Sequence, residues 1–230
     1  MPDPVVRALL ESRPLVSHHY LATESSSGNK THRGVSQRNT ALTYIRENAI
    51  AGIVYFADDD NTYNPALFRK LSKLPGGAYT IFPVGNMGYF GFEGPIIGRA
   101  TDGGAGRLTH WCCDFCTRRW NVDMAGLAFH TSILQTIPHL LLSYTAPAGF
   151  VESELLTTIE GKTDATLYLL PELLGQIHVW HDRSEIFKKA EYYISDWKTF
   201  WVEAYLPTLP NEIVKGFSKA NQTLPRPIIL

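Results

Sequence analysis

The sequence IVYFADDDNTY at residues 53–63 joins a run of five apolar residues directly to three consecutive aspartates. An apolar run of this length is typical of a strand that is buried on both faces of a parallel sheet. Three adjacent carboxylates cannot lie unpaired in such a core, because each buried charge would cost several kcal/mol. We therefore expect Asp58, Asp59 and Asp60 just past the carboxyl end of the strand, where open α/β sheets bind their ligands.

The three aspartates have two interpretations. Carboxylate oxygens suit Mg²⁺ or Mn²⁺, and such an ion commonly also holds a diphosphate. The alternative is a solvated acidic turn, which is common on protein surfaces. The apolar run that leads into the acids, and the polar Asn61 and Thr62 that follow them, favour a ligand site.

Bulk composition indicates a folded globular chain. The 230 residues are 44% apolar and 19% charged, and the formal net charge is −1. Nucleic acid is not expected as a partner, because such binding usually needs a basic surface. No apolar run is long enough to predict a transmembrane helix, and the first residues lack the pattern of a signal peptide.

The three cysteines fall in one cluster, CCDFC, at residues 112–116. A structural zinc site usually takes four ligands in two separated pairs, so zinc is disfavoured even with His110 as a fourth ligand. We expect neutral thiols, buried or partly exposed.

Strand-like and helix-like segments alternate, which indicates the α/β class. Helices are predicted over 5–12, 37–48, 64–74, 131–142 and 153–159, and strands over 15–20, 53–57, 78–84, 90–93, 123–129 and 177–180. Polar clusters repeatedly follow the strands, so we expect a single cleft along the carboxyl edge of a sheet.

Two clusters carry basic side chains. In HRGVSQRN, residues 32–39, Arg33 and Arg38 precede or begin a predicted helix, where free amides and arginine forks suit an anion. A solvated basic loop is the alternative. His181 and Arg183 follow a short predicted strand and could close on a diphosphate, or could be structural.

Two acids are candidates for chemistry. Glu152 lies near the start of a predicted helix, where it could cap the helix or act as a general base, with Glu154 as its competitor. Asp123 lies in an otherwise apolar segment and must find a hydrogen-bond donor in the protein or in a ligand.

Five motifs, in order, resemble the β-1,3-glucuronyltransferase family. They are HRGVxQRN at 32–39, GIVYFADDDNTY at 52–63, VDMAG at 122–126, GFxES at 149–153 and VWHxR at 179–183. The resemblance implies an α/β GT-A (nucleotide-diphospho-sugar transferase) fold, with a mostly parallel central sheet flanked by helices and lacking the family's first strands. It implies a partial catalytic domain over 1–187 and a divergent C-terminal helix and tail over 188–230.

The resemblance also implies an activity and its residues. The activity is Mn²⁺-dependent, inverting transfer of glucuronate from UDP-glucuronate to a terminal galactose of a glycan, forming a β-1,3 linkage as in proteoglycan linker synthesis. The implied roles are metal binding by Asp60, donor binding by Arg33, Arg38, Asp58, Asp59, His181 and Arg183, acceptor binding by Glu93, Arg118 and Asp123, and base catalysis by Glu152. The full-length protein is expected in the Golgi lumen as a type II membrane protein, compatible with a homodimer.

Two other functions remain open at this point. A truncated homologue that binds sugar or a partner without turnover is favoured by the lack of the strands that would supply the uracil contacts. A metal-dependent phosphohydrolase also places acids after a strand.

Overall fold

The computed structural model describes residues 3–12, 18–23, 34–85, 91–98, 107–113, 116–162 and 164–181. Within these ranges the chain combines α-helices with two mixed β-sheets, in keeping with the predicted α/β class. The predicted tail over 188–230 and residues 15–17 of the predicted strand over 15–20 lie outside the described residues. The prediction is wrong for residues 18–20, which form no strand. No helix in the described ranges has the length and apolar character needed to cross a bilayer.

The described ranges contain six α-helices, and all but the last occur where the apolar spacing predicts them, with shifted ends. They are α1 (Pro4–Glu11), α2 (Val35–Glu47), α3 (Ala66–Leu71), α4 (Ser132–Thr136), α5 (Val151–Lys162) and α6 (Pro171–Leu174). The predicted helix over 131–142 is wrong beyond Thr136, because the residue before Pro138 is disfavoured in helical geometry. α6 was not predicted, since its four residues are too few to show a period.

The described strands are more numerous than predicted, and most are shorter, although the strand predicted over 90–93 extends to Gly98. They are β1 (Ile53–Tyr55), β2 (Thr62–Tyr63), β3 (Ala78–Ile81), β4 (Val84–Gly85), β5 (Phe92–Gly98), β6 (Arg107–Cys112), β7 (Leu127–His130), β8 (Thr166–Leu167) and β9 (Val179–Trp180). The predicted strand over 78–84 is split into β3 and β4. The predicted strand over 123–129 begins instead as a 3-10 turn, Met124–Gly126, before β7.

The first sheet has the strand order β1-β7-β3-β8, and it corrects the predicted mostly parallel arrangement. β7 runs antiparallel to both β1 and β3, and only β8 pairs in parallel, with β3. The continuous apolar runs were misleading because both faces of this sheet are covered. A strand that is buried on both faces has the same sequence pattern in either direction.

Alternate residues of these strands enter two hydrophobic clusters on opposite faces of the first sheet. Tyr79 and Ile81 of β3 belong to the larger cluster, which also contains most of the buried face of α5. Ala78 and Phe82 belong to the smaller cluster, with Leu67 of α3. The first sheet is therefore the shared layer between two cores.

The second sheet has the order β2-β9-β4-β5-β6 and brings the ends of distant segments together. β2, which follows the aspartates, pairs antiparallel with β9, which precedes His181. The amide of His181 donates to the carbonyl of Gly85 at the end of β4, at 2.9 Å. The acidic turn and His181 thus flank the same pair of strands.

Candidate active site

The three aspartates form the turn between β1 and β2, as the sequence predicts. Asp58 and Asp60 are half-buried, while Asp59 is exposed. The hydroxyl of Tyr63 donates to the carbonyl of Asp58 at 2.7 Å, which ties the end of the turn back to its beginning.

Arg38 lies in the second turn of α2 and forms an ion pair with the carboxylate of Asp58. α2 begins after Gly34, whose φ of 76° is left-handed. A Cβ on Gly34 would lie 2.3 Å from Nη1 of Arg38, so glycine leaves room for the guanidinium as well as permitting the turn. Two predicted donor contacts, Arg38 and Asp58, are therefore brought together. Arg33 lies outside the described residues.

Asp123 caps the 3-10 turn that leads into β7. Its Oδ1 accepts from the amide of Ala125 at 2.9 Å, and the carbonyl of Ala125 accepts from the hydroxyl of Tyr55, also at 2.9 Å. Burial raises the pKa of Asp123, while the Ala125 amide and the nearby His181 oppose that rise. Asp123 was expected to need a hydrogen-bond donor, and the structure supplies one from a backbone amide of the same turn.

Glu152 is the second residue of α5, and its carboxyl faces the same cluster. The pKa of Glu152 is raised to about 7 as the net result of burial, which is the largest cause, and of the charge of Asp123, against the lowering by Arg118 and Arg38. Asp123 of the 3-10 turn therefore lies close enough to Glu152 of α5 to influence its protonation. Glu154, the competing candidate, is exposed.

Glu93 and Arg118 form a second ion pair, in which both side chains are largely buried. Arg118 also donates from Nη1 to the carbonyl of Gly149, at 2.8 Å, immediately before α5. These contacts join β5, the segment after the cysteines and the start of α5. Of the predicted acceptor contacts, Arg118 and Asp123 lie close enough to Glu152 to shift its pKa, and Glu93 is linked to them through Arg118.

His181 lies close enough to this cluster to lower the pKa of Asp123. Arg183 lies outside the described residues. Asp59 has no described link to the cluster, since its side chain is exposed on the turn.

The acidic turn fits a cation only if a ligand brings further oxygens. Within the described residues, no group of three or more His, Cys, Asp or Glu side chains is arranged to hold a metal ion. Asp58 is paired with Arg38, which leaves the half-buried Asp60 and the exposed Asp59 as the carboxylates of the turn that could meet a cation. Mg²⁺-type ions are commonly held by one or two carboxylates together with substrate phosphates and water. The turn therefore suits an ion that arrives with a nucleotide, rather than a resident ion in a protein cage.

The cysteine cluster corrects the prediction of free thiols. Cys113 and Cys116 form a disulfide with a Cα–Cα distance of 5.5 Å, and Cys112 is a buried thiol outside that disulfide, which donates to the carbonyl of Phe92. A turn brings residues three apart within bonding reach. The C-x-x-C spacing of Cys113 and Cys116 was the signal in the sequence that indicates this disulfide.

Two tyrosines were also missed by sequence reasoning. The hydroxyls of Tyr55 and Tyr63 each hold a carbonyl in a loop that carries a candidate carboxylate, and their rings lie 6.2 Å apart in a T-shaped contact. Both residues belong to the segment 53–63, in which Tyr55 was counted only as part of the apolar run and Tyr63 was given no role.

The cluster therefore combines an acid that titrates near neutral pH, a second buried acid, two arginine–carboxylate pairs and a histidine. Such an arrangement can bind a polyanionic ligand at the arginines and accept a proton from a hydroxyl at Glu152.

Comparison with known proteins identifies the family of this chain. Residues 2–185 match the sequence profile described as Glycosyltransferase family 43. The chain is 35% identical over 208 residues to galactosylgalactosylxylosylprotein 3-beta-glucuronosyltransferase 3 of Cricetulus griseus, covering 80% of this chain and 58% of the relative. It is 32% identical over 157 residues to galactosylgalactosylxylosylprotein 3-beta-glucuronosyltransferase sqv-8 of Caenorhabditis elegans, covering 66% of this chain and 42% of the relative.

The chain spans about half the length of the curated relatives it matches. The match nevertheless extends across nearly all of the residues that the structure describes. The chain belongs to glycosyltransferase family 43.

Proposed function

We propose that this chain carries the site of an inverting, UDP-glucuronate-dependent glycosyltransferase. The relatives are named as 3-beta-glucuronosyltransferases, which supports transfer of glucuronate to a terminal galactose through a β-1,3 linkage, as in proteoglycan linker synthesis. The observation that carries the proposal is the Glu152 carboxyl, whose pKa burial raises to about 7 beside Asp123 and Arg118. A general base works best when its pKa lies near the operating pH.

The proposed fold is of the GT-A type. The acidic turn follows β1 and His181 follows β9, and the pairing of β2 with β9 brings both to one edge of the second sheet. This edge offers acids for the ribose and sugar hydroxyls and a histidine for the diphosphate. Asp58, Asp59, Arg38 and His181 are the proposed donor contacts, with Arg33 and Arg183 as further candidates.

The chemistry is a single displacement. A hydroxyl of the acceptor galactose, held by Glu93, Arg118 and Asp123, attacks the anomeric carbon of the donor while its proton passes to Glu152. The new carbon–oxygen bond forms as the bond to the β-phosphate oxygen breaks, and the electron pair leaves with UDP. Attack from the face opposite UDP inverts the configuration, as in inverting glycosidases that use a carboxylate base.

Asp60 is the proposed protein ligand for Mn²⁺. When bound, the ion would neutralise charge on the diphosphate. His181 adds a donor on the same side, which stabilises the charge that grows on the leaving phosphate.

The ion pair between Arg38 and Asp58 supports a second candidate function, which is glycan binding without turnover. These two proposed donor contacts satisfy each other in this structure, so donor binding would have to break or share the pair. A homologue that binds a glycan at Glu93, Arg118 and Asp123 without turnover would not need to disturb that pair.

We also propose that the full-length protein works in the Golgi lumen, anchored as a type II membrane protein. The Cys113–Cys116 disulfide supports an oxidising compartment.

The direct test compares Glu152→Gln with Glu154→Gln, which removes an exposed carboxylate from the same helical turn. Transfer from UDP-glucuronate to a galactose-terminated acceptor is expected to fall by about 10³-fold or more in Glu152→Gln, because the incoming hydroxyl loses its base. Glu154→Gln should keep the parent rate. Normal turnover in Glu152→Gln would exclude Glu152 as the base.

Titration calorimetry of UDP with and without Mn²⁺ distinguishes the two functions. For a transferase, UDP binding should give a heat that depends on Mn²⁺. Glu152→Gln should give the same heat, because Glu152 does not contact the donor in this scheme. Asp60→Asn should lose the Mn²⁺-dependent part. Absence of any heat from UDP, together with binding of the acceptor glycan, would support the non-catalytic alternative.

A further inference from the structure

The segment 118–120 is joined to α5 by three consecutive residues. Arg118 donates to the carbonyl of Gly149, the amide of Trp120 donates to Oγ of Ser153 at 3.1 Å, and Arg119 forms a two-point ion pair with Glu160. The first two links meet the turn of α5 that carries Glu152. The third lies two turns further along the helix and is exposed to solvent.

The link through Ser153 is the buried one. The Ser153 side chain and the Trp120 residue are both almost fully buried, with Ser153 4% and Trp120 3% exposed. The Trp120 ring packs edge-on against Tyr79 and Trp111, so this part of the segment is fixed on its other side by the larger hydrophobic cluster. A buried amide that loses its acceptor is left unsatisfied, so loss of this hydrogen bond should lower the free energy of unfolding more than loss of the exposed ion pair.

This geometry couples two groups of the proposed site. Ser153 directly follows Glu152 in α5, and Trp120 lies two residues after Arg118. Movement of segment 118–120 away from α5 would therefore carry the Arg118 guanidinium away from the Glu152 carboxylate.

We propose that Ser153 is a positioning residue, which sets the separation between Arg118 and Glu152 by accepting the Trp120 amide. Its effect on turnover rests on the proposed function, whereas its effect on the site geometry does not. Ser153 contacts neither the donor nor the acceptor in this scheme and acts only through its neighbours.

The readout that a merely structural role would not change is the titration of Glu152. Asp123 raises the pKa of that carboxyl, and Arg118 and Arg38 lower it. In Ser153→Ala the buried one of the three links to α5 is lost, so Arg118 is held less closely to Glu152 and the pKa of Glu152 should rise above that of the parent chain. Simple loss of stability would lower the folded fraction without moving this titration.

The experiment measures the Glu152 carboxyl by carbon NMR across pH, with the signal assigned by its disappearance in Glu152→Gln. Ser153→Ala is compared with Ser153→Thr, which keeps the hydroxyl, and with Ser153→Cys, which keeps the volume but offers a weak acceptor. Thr158→Ala is the matched control, because its hydroxyl bonds only within α5, to the carbonyl of Glu154. The Ala and Cys variants should raise the titration point, while the Thr variant and the control should match the parent chain.

Turnover gives the second readout. Acceptor kcat/KM should fall about tenfold in Ser153→Ala, with donor KM unchanged, because the acceptor wall and the base lose their alignment. The proposal is overturned if Ser153→Ala and Ser153→Cys titrate like Thr158→Ala. If the parent chain shows no transfer at all, the proposed function fails, but the NMR titration still decides the role of Ser153.

Discussion

At the scale of single residues, the buried carboxyl of Glu152 links protonation to folding. Burial raises its pKa from the ordinary value of 4.5 to about 7, so the folded chain binds this proton more tightly than the unfolded chain. The free energy of unfolding should therefore fall as pH rises from about 4.5 to 7, because the folded chain must then hold a charge that it solvates poorly.

The expected consequence is a pH-dependent difference between the parent chain and Glu152→Gln. The variant should gain about 1–3 kcal/mol of unfolding free energy relative to the parent between pH 4.5 and 8. Urea unfolding at several pH values measures this gain, with Glu154→Gln as the control for loss of a carboxylate from the same turn. Parallel curves for Glu152→Gln and the parent would contradict the buried, proton-binding state of Glu152.

The same titration bears on the proposed activity. A base is active only when it is deprotonated, so transfer should decline as pH falls through about 7. The stability of the parent chain changes in the opposite direction over this window. The two trends can therefore be separated, because unfolding cannot account for a rate that falls where the fold becomes more stable.

At the scale of elements, Asn39 joins α2 to the segment that leads into α5. Its amide nitrogen donates to the carbonyl of Leu142 at 3.0 Å, and its amide oxygen accepts from the amide of Leu142 at 2.7 Å. The pair is buried and imitates the hydrogen bonding of a neighbouring strand. A side chain in α2 thus satisfies both backbone groups of a residue 103 positions away.

Replacement of Asn39 by Ala should lower the free energy of unfolding by about 2–4 kcal/mol, because both backbone groups of Leu142 would be left unsatisfied in the interior. Denaturant unfolding checks this, with Asn48→Ala as the control, since the Asn48 amide is exposed and bonds only to the preceding turn of α2. The control should cost about 0.5 kcal/mol or less. An equal loss in both variants would mean that the buried pair contributes nothing beyond an exposed cap.

Helices whose apolar spacing repeats over several turns, and strands that begin with a clear apolar run, could be predicted from the sequence. Short strands that depend on hydrogen bonds to a partner strand could not. α2 and α5 show helical spacing, and β1 and β3 begin where the apolar runs begin. β2 and β8 have two residues each and exist only because a partner strand supplies hydrogen bonds. The direction of pairing was wrong for the same reason, since it is set by contacts between segments that are distant along the chain.

At the scale of the whole molecule, the grouping of the candidate site residues was more predictable than the contacts between them. Of the predicted site residues that the structure describes, Arg38, Asp58, Glu93, Arg118, Asp123, Glu152 and His181 take part in one linked cluster. The sequence could not indicate that Arg38 pairs with Asp58, or that Arg118 pairs with Glu93. Such partners lie on separate elements, and their meeting depends on how the two sheets are joined.

The two hydrophobic clusters share the first sheet, and this has a consequence for cooperativity. In β7, Leu127 and Phe129 belong to the larger cluster, while Ala128 between them belongs to the smaller one. Neither cluster can lose its packing without exposing one face of the same strands. We therefore expect the described core to unfold as one unit rather than as two.

Cavity-forming variants on the two sides test this expectation. Leu156→Ala in α5 and Leu67→Ala in α3 each remove a fully buried side chain, one from each cluster, and each should lower the free energy of unfolding by about 2–5 kcal/mol. Both should shift a single transition that far-ultraviolet and near-ultraviolet circular dichroism report together. Leu141→Ala, at a side chain 41% exposed, is the control and should leave the transition within about 0.5 kcal/mol of the parent. Two separated transitions in Leu67→Ala would contradict this expectation, because they would mean that the α3 side unfolds alone. Since β9 contributes Val179 to the smaller cluster, unfolding of that side would carry His181 out of the site. The side of the molecule that holds Glu152 would remain folded.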